Sequence, residues 1–93
     1  MDNTYEKRDK HTAKKKVEFQ VLNHRDSIRE SLESLHNYTD QVEEFAYSGD
    51  ILQTVRYVKR LRDEAKHLHD VVDHLLIMLE QIDSVDTNGY FRT

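Results

Sequence analysis

Proline is absent from this sequence, and its two glycines stand at positions 49 and 89. Proline removes a backbone donor and clashes with the preceding turn, while glycine readily takes the left-handed conformation that closes a helix. With neither present from residue 1 to 48 or from 50 to 88, the chain reads as two long helices with Gly49 as the stop between them. In the first helix, Ile28, Leu32, Leu35, Thr39, Val42 and Ala46 recur at steps of 4 and 3, a heptad seam with d at Ile28 and a at Leu32, and Val21 precedes them one heptad earlier. The second carries Ile51, Val55, Val58, Leu61, Ala65, Leu68, Val72, Leu75, Leu79 and Ile82. Its alternation is interrupted once, where Val58 to Leu61 repeats a step of 3, which locally overwinds a seam.

The stop has a mechanism. Gly49 can close the first helix, and Asp50 can cap the second with Gln53 in the capping-box position. The seams predict helices over about 17–47 and 51–85, a turn at 48–50, a charged arm over 1–16, and a tail over 87–93 after the turn formers Asp86, Thr87, Asn88 and Gly89. The fold class is thus all-α: a long antiparallel helical hairpin, coiled-coil-like, spanning 17–86. At 1.5 Å per residue such helices run roughly 46 and 52 Å, close enough in length to pair throughout.

A hairpin of two helices buries one stripe of each, and helical stability comes mainly from tertiary packing. Phe19, Leu22, Phe45, Val71, Leu76, Ile77 and Met78 lie outside the strict seam, so the apolar arc is wider than one neighbour covers. A third helix, a second copy or a protein partner is expected to complete a bundle, most simply in a homo-oligomer. Leu76 and Leu79 are the candidate contact residues for that association.

Charge and composition narrow the function classes. The first sixteen residues carry a net +3 and the rest a net −7. That acidic balance and the lack of aromatic interleaving among Arg56, Lys59, Arg60, Arg62 and Lys66 argue against nucleic acid as a partner. The longest apolar run, residues 75–79, falls far short of the roughly 20 residues of a membrane span, and no apolar segment follows the basic N-terminus. With no cysteine there is no disulfide framework. A cytoplasmic or nuclear protein is expected, without cofactor.

Asp63, His67, Asp70 and His74 share a helical face with nitrogen and oxygen donors, but relative to the seam they sit at f and c, where charge is ordinarily solvated, so no metal is assigned. His36 and His69 flank the seam at e. No phosphate-binding glycine loop or activated nucleophile is present, and a helical hairpin has no deep pocket of its own, so an enzyme is not expected.

The C-terminal half resembles a known family. The stretch His69-Asp70-Val71-Val72-Asp73-His74-Leu75-Leu76-Ile77-Met78-Leu79-Glu80-Gln81-Ile82-Asp83-Ser84-Val85 is similar to the end of the second helix of BAG domains, the Hsp70 co-chaperone module, whose pattern there is a leucine run followed by Leu-(Glu)-x-(Leu/Ile)-Asp-(Ser/Thr)-(Val/Leu). Tyr90-Phe91-Arg92 after the turn formers is similar to the link into that family's third helix, and Val42-Glu43-Glu44-Phe45 to the close of its first. The resemblance covers residues 28–92. It implies a three-helix bundle that binds the Hsp70 nucleotide-binding domain and promotes nucleotide release, with Glu80 and Asp83 at the acidic contact positions. The sequence departs from the family by stopping at Thr93, where the third helix would begin. Two readings stay open: a BAG-type co-chaperone, and a self-associating coiled-coil or four-helix-bundle adaptor without a chaperone role.

Overall fold

A computed structural model describes the backbone from Asp2 to Phe91 and the side chains of residues 12–84. It contains two helices, α1 over Asp2–Ser48 and α2 over Ile51–Phe91, which form a hairpin, and no strand among the described residues. The all-α hairpin is therefore as the two seams predict.

Its turn uses the residues the sequence singled out. Gly49 has φ of 76°. The Asp50 N–H donates to the Phe45 carbonyl at 3.0 Å and the Gly49 N–H to the Ala46 carbonyl at 3.2 Å, the paired bonds of a Schellman motif. Asp50 then caps α2: its Oδ1 accepts from the Gln53 N–H at 3.1 Å, and its carbonyl accepts from the N–H and Oγ1 of Thr54. The carboxylate half of the expected capping box is thus in place.

Both helices extend past their predicted ends. α1 takes in residues 2–16, where Lys, Glu and Ala are good helix formers, and α2 continues through residues 86–89. Asn and Gly weaken a helix by no more than about 1 kcal/mol each, so without proline a turn-forming composition lowers helicity without forbidding it.

The chain divides into two compact units: a turn unit, Asp26–Val72, and a terminal unit of Met1–Arg25 with Asp73–Thr93. In the turn unit the half-buried or buried positions are Ile28, Ser31, Leu35, Tyr38, Val42 and Phe45 on α1, and Thr54, Tyr57, Leu61, Glu64, Leu68 and Val71 on α2, with Ser34, Gln41 and Gln53 beside them. Each main row alternates steps of 3 and 4 without a break. In the terminal unit the corresponding positions are Ala13, Gln20 and His24 on α1 and Leu75, Met78, Leu79 and Ile82 on α2.

This seam differs from the predicted one in a systematic way. Ile28, Leu35, Val42, Leu61, Leu68, Leu75, Leu79 and Ile82 belong to both. At the alternate places of the turn unit, however, the structure uses the preceding residue: Ser31 for Leu32, Tyr38 for Thr39, Phe45 for Ala46, Tyr57 for Val58, Glu64 for Ala65 and Val71 for Val72. Both helices are turned so that the aromatic rings meet inside the hairpin, Tyr57 against Phe45 and Tyr38. Val71 and Met78, which looked surplus to the seam, are part of it.

Candidate protein-interaction surface

Turning the seam toward the aromatics leaves an apolar row outside it. In the turn unit Leu32, Thr39 and Ala46 on α1, and Ile51, Val58, Ala65 and Val72 on α2, are all exposed, with Leu32 at 52% and Ile51 at 77%. They recur every seven residues on each helix. Val55 adds an apolar side chain to the α2 row, and the charged or polar places beside the row are Arg29, His36 and Glu43 on α1 and Arg62 and His69 on α2. Thr39 is compatible with the apolar character because its hydroxyl is satisfied within α1, donating to the Leu35 carbonyl at 2.7 Å.

The opposite flank of the seam has a different composition. Ser27, Ser34, Gln41 and Ser48 on α1 and Gln53, Arg60 and His67 on α2 occupy it, every one polar. One flank of the turn unit is therefore apolar and the other polar. The interruption that the sequence showed between Val58 and Leu61 has the same origin. Ile51, Val55 and Val58 belong to the outer row and Leu61 to the inner, so the apparent overwinding is a change of row, and the seam itself runs evenly.

Among the described residues no apolar side chain is fully buried, and Ser31, at 2% exposure, is the one buried residue. On α2 the one charged residue of the seam in the turn unit is Glu64, half-buried.

The predicted contact residues lie in the terminal unit. Leu76 is 50% exposed, Leu79 is half-buried in the seam, and Glu80 and Asp83 are exposed. Leu76 and Leu79 thus have different surroundings, one outward and one largely committed to the hairpin. Of the four residues weighed as metal donors, His74 leaves the others: its ring meets that of His24 at 5.4 Å between centroids. His24 Nδ1 lies 2.7 Å from the Gln20 carbonyl. Among the described residues no group of three or more His, Asp or Glu side chains is arranged to hold a metal ion. His36 and His69 are exposed and each stands 3.6 Å from a carboxylate, of Asp40 and Asp70 respectively. Among the described residues no helix is long and apolar enough to cross a membrane.

The chain matches no protein-family model, no curated protein and no solved structure. The similarity to BAG domains rests on the residues quoted for it.

Proposed function

We propose that this protein works by binding rather than catalysis, as a helical hairpin whose apolar flank packs against helices of another polypeptide. The observation that carries the reading is the outer row itself: seven positions spaced by heptads on two helices, none charged and all exposed, opposite a flank that is wholly polar. Scattered exposed leucines are ordinary on a protein surface, whereas a continuous apolar row with a polar counterpart marks an interaction site.

The resemblance to BAG domains names the partner more narrowly, as an Hsp70 nucleotide-binding domain contacted through Glu80 and Asp83. Both carboxylates are accessible for such a contact.

Because the sequence has no cysteine, a single one can report on either flank. Val58→Cys and Ser34→Cys, each carrying a polarity-sensitive dye, are titrated with unlabelled chain and separately with an Hsp70 nucleotide-binding domain. Binding through the apolar flank blue-shifts the dye at position 58 and leaves that at 34 unchanged. Equal shifts at both positions, or none with either titrant up to about 100 µM, a dissociation constant worth roughly −5.5 kcal/mol, overturn the reading. A response to the chain alone removes the chaperone as the occupant of the apolar flank.

A further inference from the structure

The geometry points to a second copy of this chain as the occupant of the apolar flank, packed about a two-fold axis that crosses the turn unit at the level of His36 and Arg62. This rests on the reading of the outer row as a binding face and adds the partner and its register.

The outer row lies roughly 70° around each helix from the midline of the seam, being one residue (about 100°) from Ser31, Tyr38 and Phe45 and four residues (a net of about 40°) from Ile28, Leu35 and Val42. A four-helix bundle asks each helix for two contact faces at close to a right angle. In an antiparallel pair, a given flank of one seam lies beside the same flank of the other, so the outer rows of α1 and α2 look out on one side. Two such hairpins placed face to face with the axis across the helices set α1 antiparallel to its own copy and α2 antiparallel to its own copy.

The level of the axis follows from two independent patterns. On α1, Arg29 and Glu43 stand seven residues before and seven after His36. An axis through His36 brings each Arg29 opposite the partner's Glu43, forming two symmetric ion pairs. On α2, Val55 and His69 stand seven residues on either side of Arg62, while Val58 with Ala65, and Ile51 with Val72, bracket it at nearly equal spacings. An axis through Arg62 therefore sets Val58 near the partner's Ala65 and Ile51 near the partner's Val72, with Val55 opposite the partner's His69. The hairpin makes the two levels one. Tyr57 meets both Tyr38 and Phe45, so it stands midway between them, and five residues further from the turn along each helix are Arg62 and His36.

Arg62 and His36 stand on the axis facing their own copies, and each has a carboxylate at hand. Arg62 Nε is 3.3 Å from Asp63 Oδ1, and His36 Nε2 is 3.6 Å from Asp40 Oδ2.

Charge reversal tests the proposal, because the two-fold axis ties Arg29 of one copy to Glu43 of the other. Sedimentation equilibrium of the full chain from 5 to 200 µM is compared for the parent, Arg29→Glu, Glu43→Arg, the double reversal, and Glu44→Arg. The last makes the same charge change one residue away from the row. A dimeric parent is expected, with dissociation constants at least tenfold higher in each single reversal, recovery to within threefold of the parent in the double reversal, and little change in Glu44→Arg. Far-UV circular dichroism at the highest concentration checks that each variant remains helical. A monomeric parent overturns the proposal, and a dye response at position 58 to the Hsp70 domain would then leave the binding face standing with a different occupant. A dimer indifferent to the reversals, or one weakened additively by both, overturns the register. A dimer whose dye at position 58 does not shift overturns the face itself.

Discussion

Phe45 and Tyr57 meet across the hairpin with ring centroids 5.4 Å apart and planes inclined by 30°. Tyr38 approaches the same ring at 6.3 Å, and the Arg60 guanidinium lies 4.8 Å from its centroid. Aromatic pairs in offset or tilted arrangements contribute about 0.5–1.5 kcal/mol beyond the area they bury. Tyr57 is thus the side chain on which the turn unit is centred. Tyr57→Ala is expected to destabilise the hairpin by about 2–3 kcal/mol, and Tyr57→Leu by about half as much because it keeps apolar volume. Urea unfolding followed by circular dichroism measures both, and equal losses would mean that ring geometry contributes nothing.

Gly49 separates conformation from space. A side chain there meets nothing within 4 Å, so the whole cost of substitution lies in its positive φ. Gly49→Ala should therefore cost about 1 kcal/mol, and Gly49→Asn distinctly less, since asparagine enters the left-handed region more readily. The order of the two melting temperatures is the readout, with Ala below Asn.

Asp50 starts α2 through its carboxylate and the Gln53 N–H. Removing the acceptor in Asp50→Ala should lower stability by about 1 kcal/mol, whereas Asp50→Ser, which retains an acceptor, should keep most of it. A fall of the same size in both variants would show that the side-chain bond is not what stabilises the turn.

How much of this was legible beforehand depends on which property is considered. The hairpin was, because the lack of proline and the lone glycine between two heptad patterns leave few alternatives, and Asp50 with Gln53 announced the cap. The seam was legible only in every second place. Each helix carries two adjacent apolar rows, and periodicity counts hydrophobic residues without saying which row faces inward. Leu32 and Ala46 are good seam residues by composition. Against them stood Phe45, Tyr38 and Tyr57, whose larger area and mutual stacking decide the rotation. The signal was present as the broken step between Val58 and Leu61, which marked the passage from one row to the other. The outer row became a candidate site only once the aromatics had fixed the inner one.

That rotation makes a paired prediction. Leu35 is half-buried in the seam and Leu32 is exposed on the outer row. At concentrations where the chain is monomeric, Leu35→Ala should cost about 2 kcal/mol and Leu32→Ala less than about 0.5 kcal/mol. At concentrations where it associates, Leu32→Ala should weaken the association. Equal effects of the two substitutions on the monomer would restore the seam that periodicity alone suggests.

Glu64 tests the same rotation from the opposite direction. Periodicity assigns its place to Ala65, yet Glu64 is the half-buried residue, between Leu61 and Leu68 along the seam. A carboxylate there offers α1 less apolar contact than an aliphatic side chain would, and its long side chain is held in fewer rotamers than on an open face. Glu64 is thus the least apolar place of the α2 seam in the turn unit. Glu64→Leu should therefore raise the urea midpoint, by about 1 kcal/mol of stability, while Ala65→Leu, one position away on the outer row, should leave the monomer almost unchanged and strengthen association. A seam that ran through Ala65 would give the reverse: stabilisation of the monomer by Ala65→Leu and a negligible effect at Glu64.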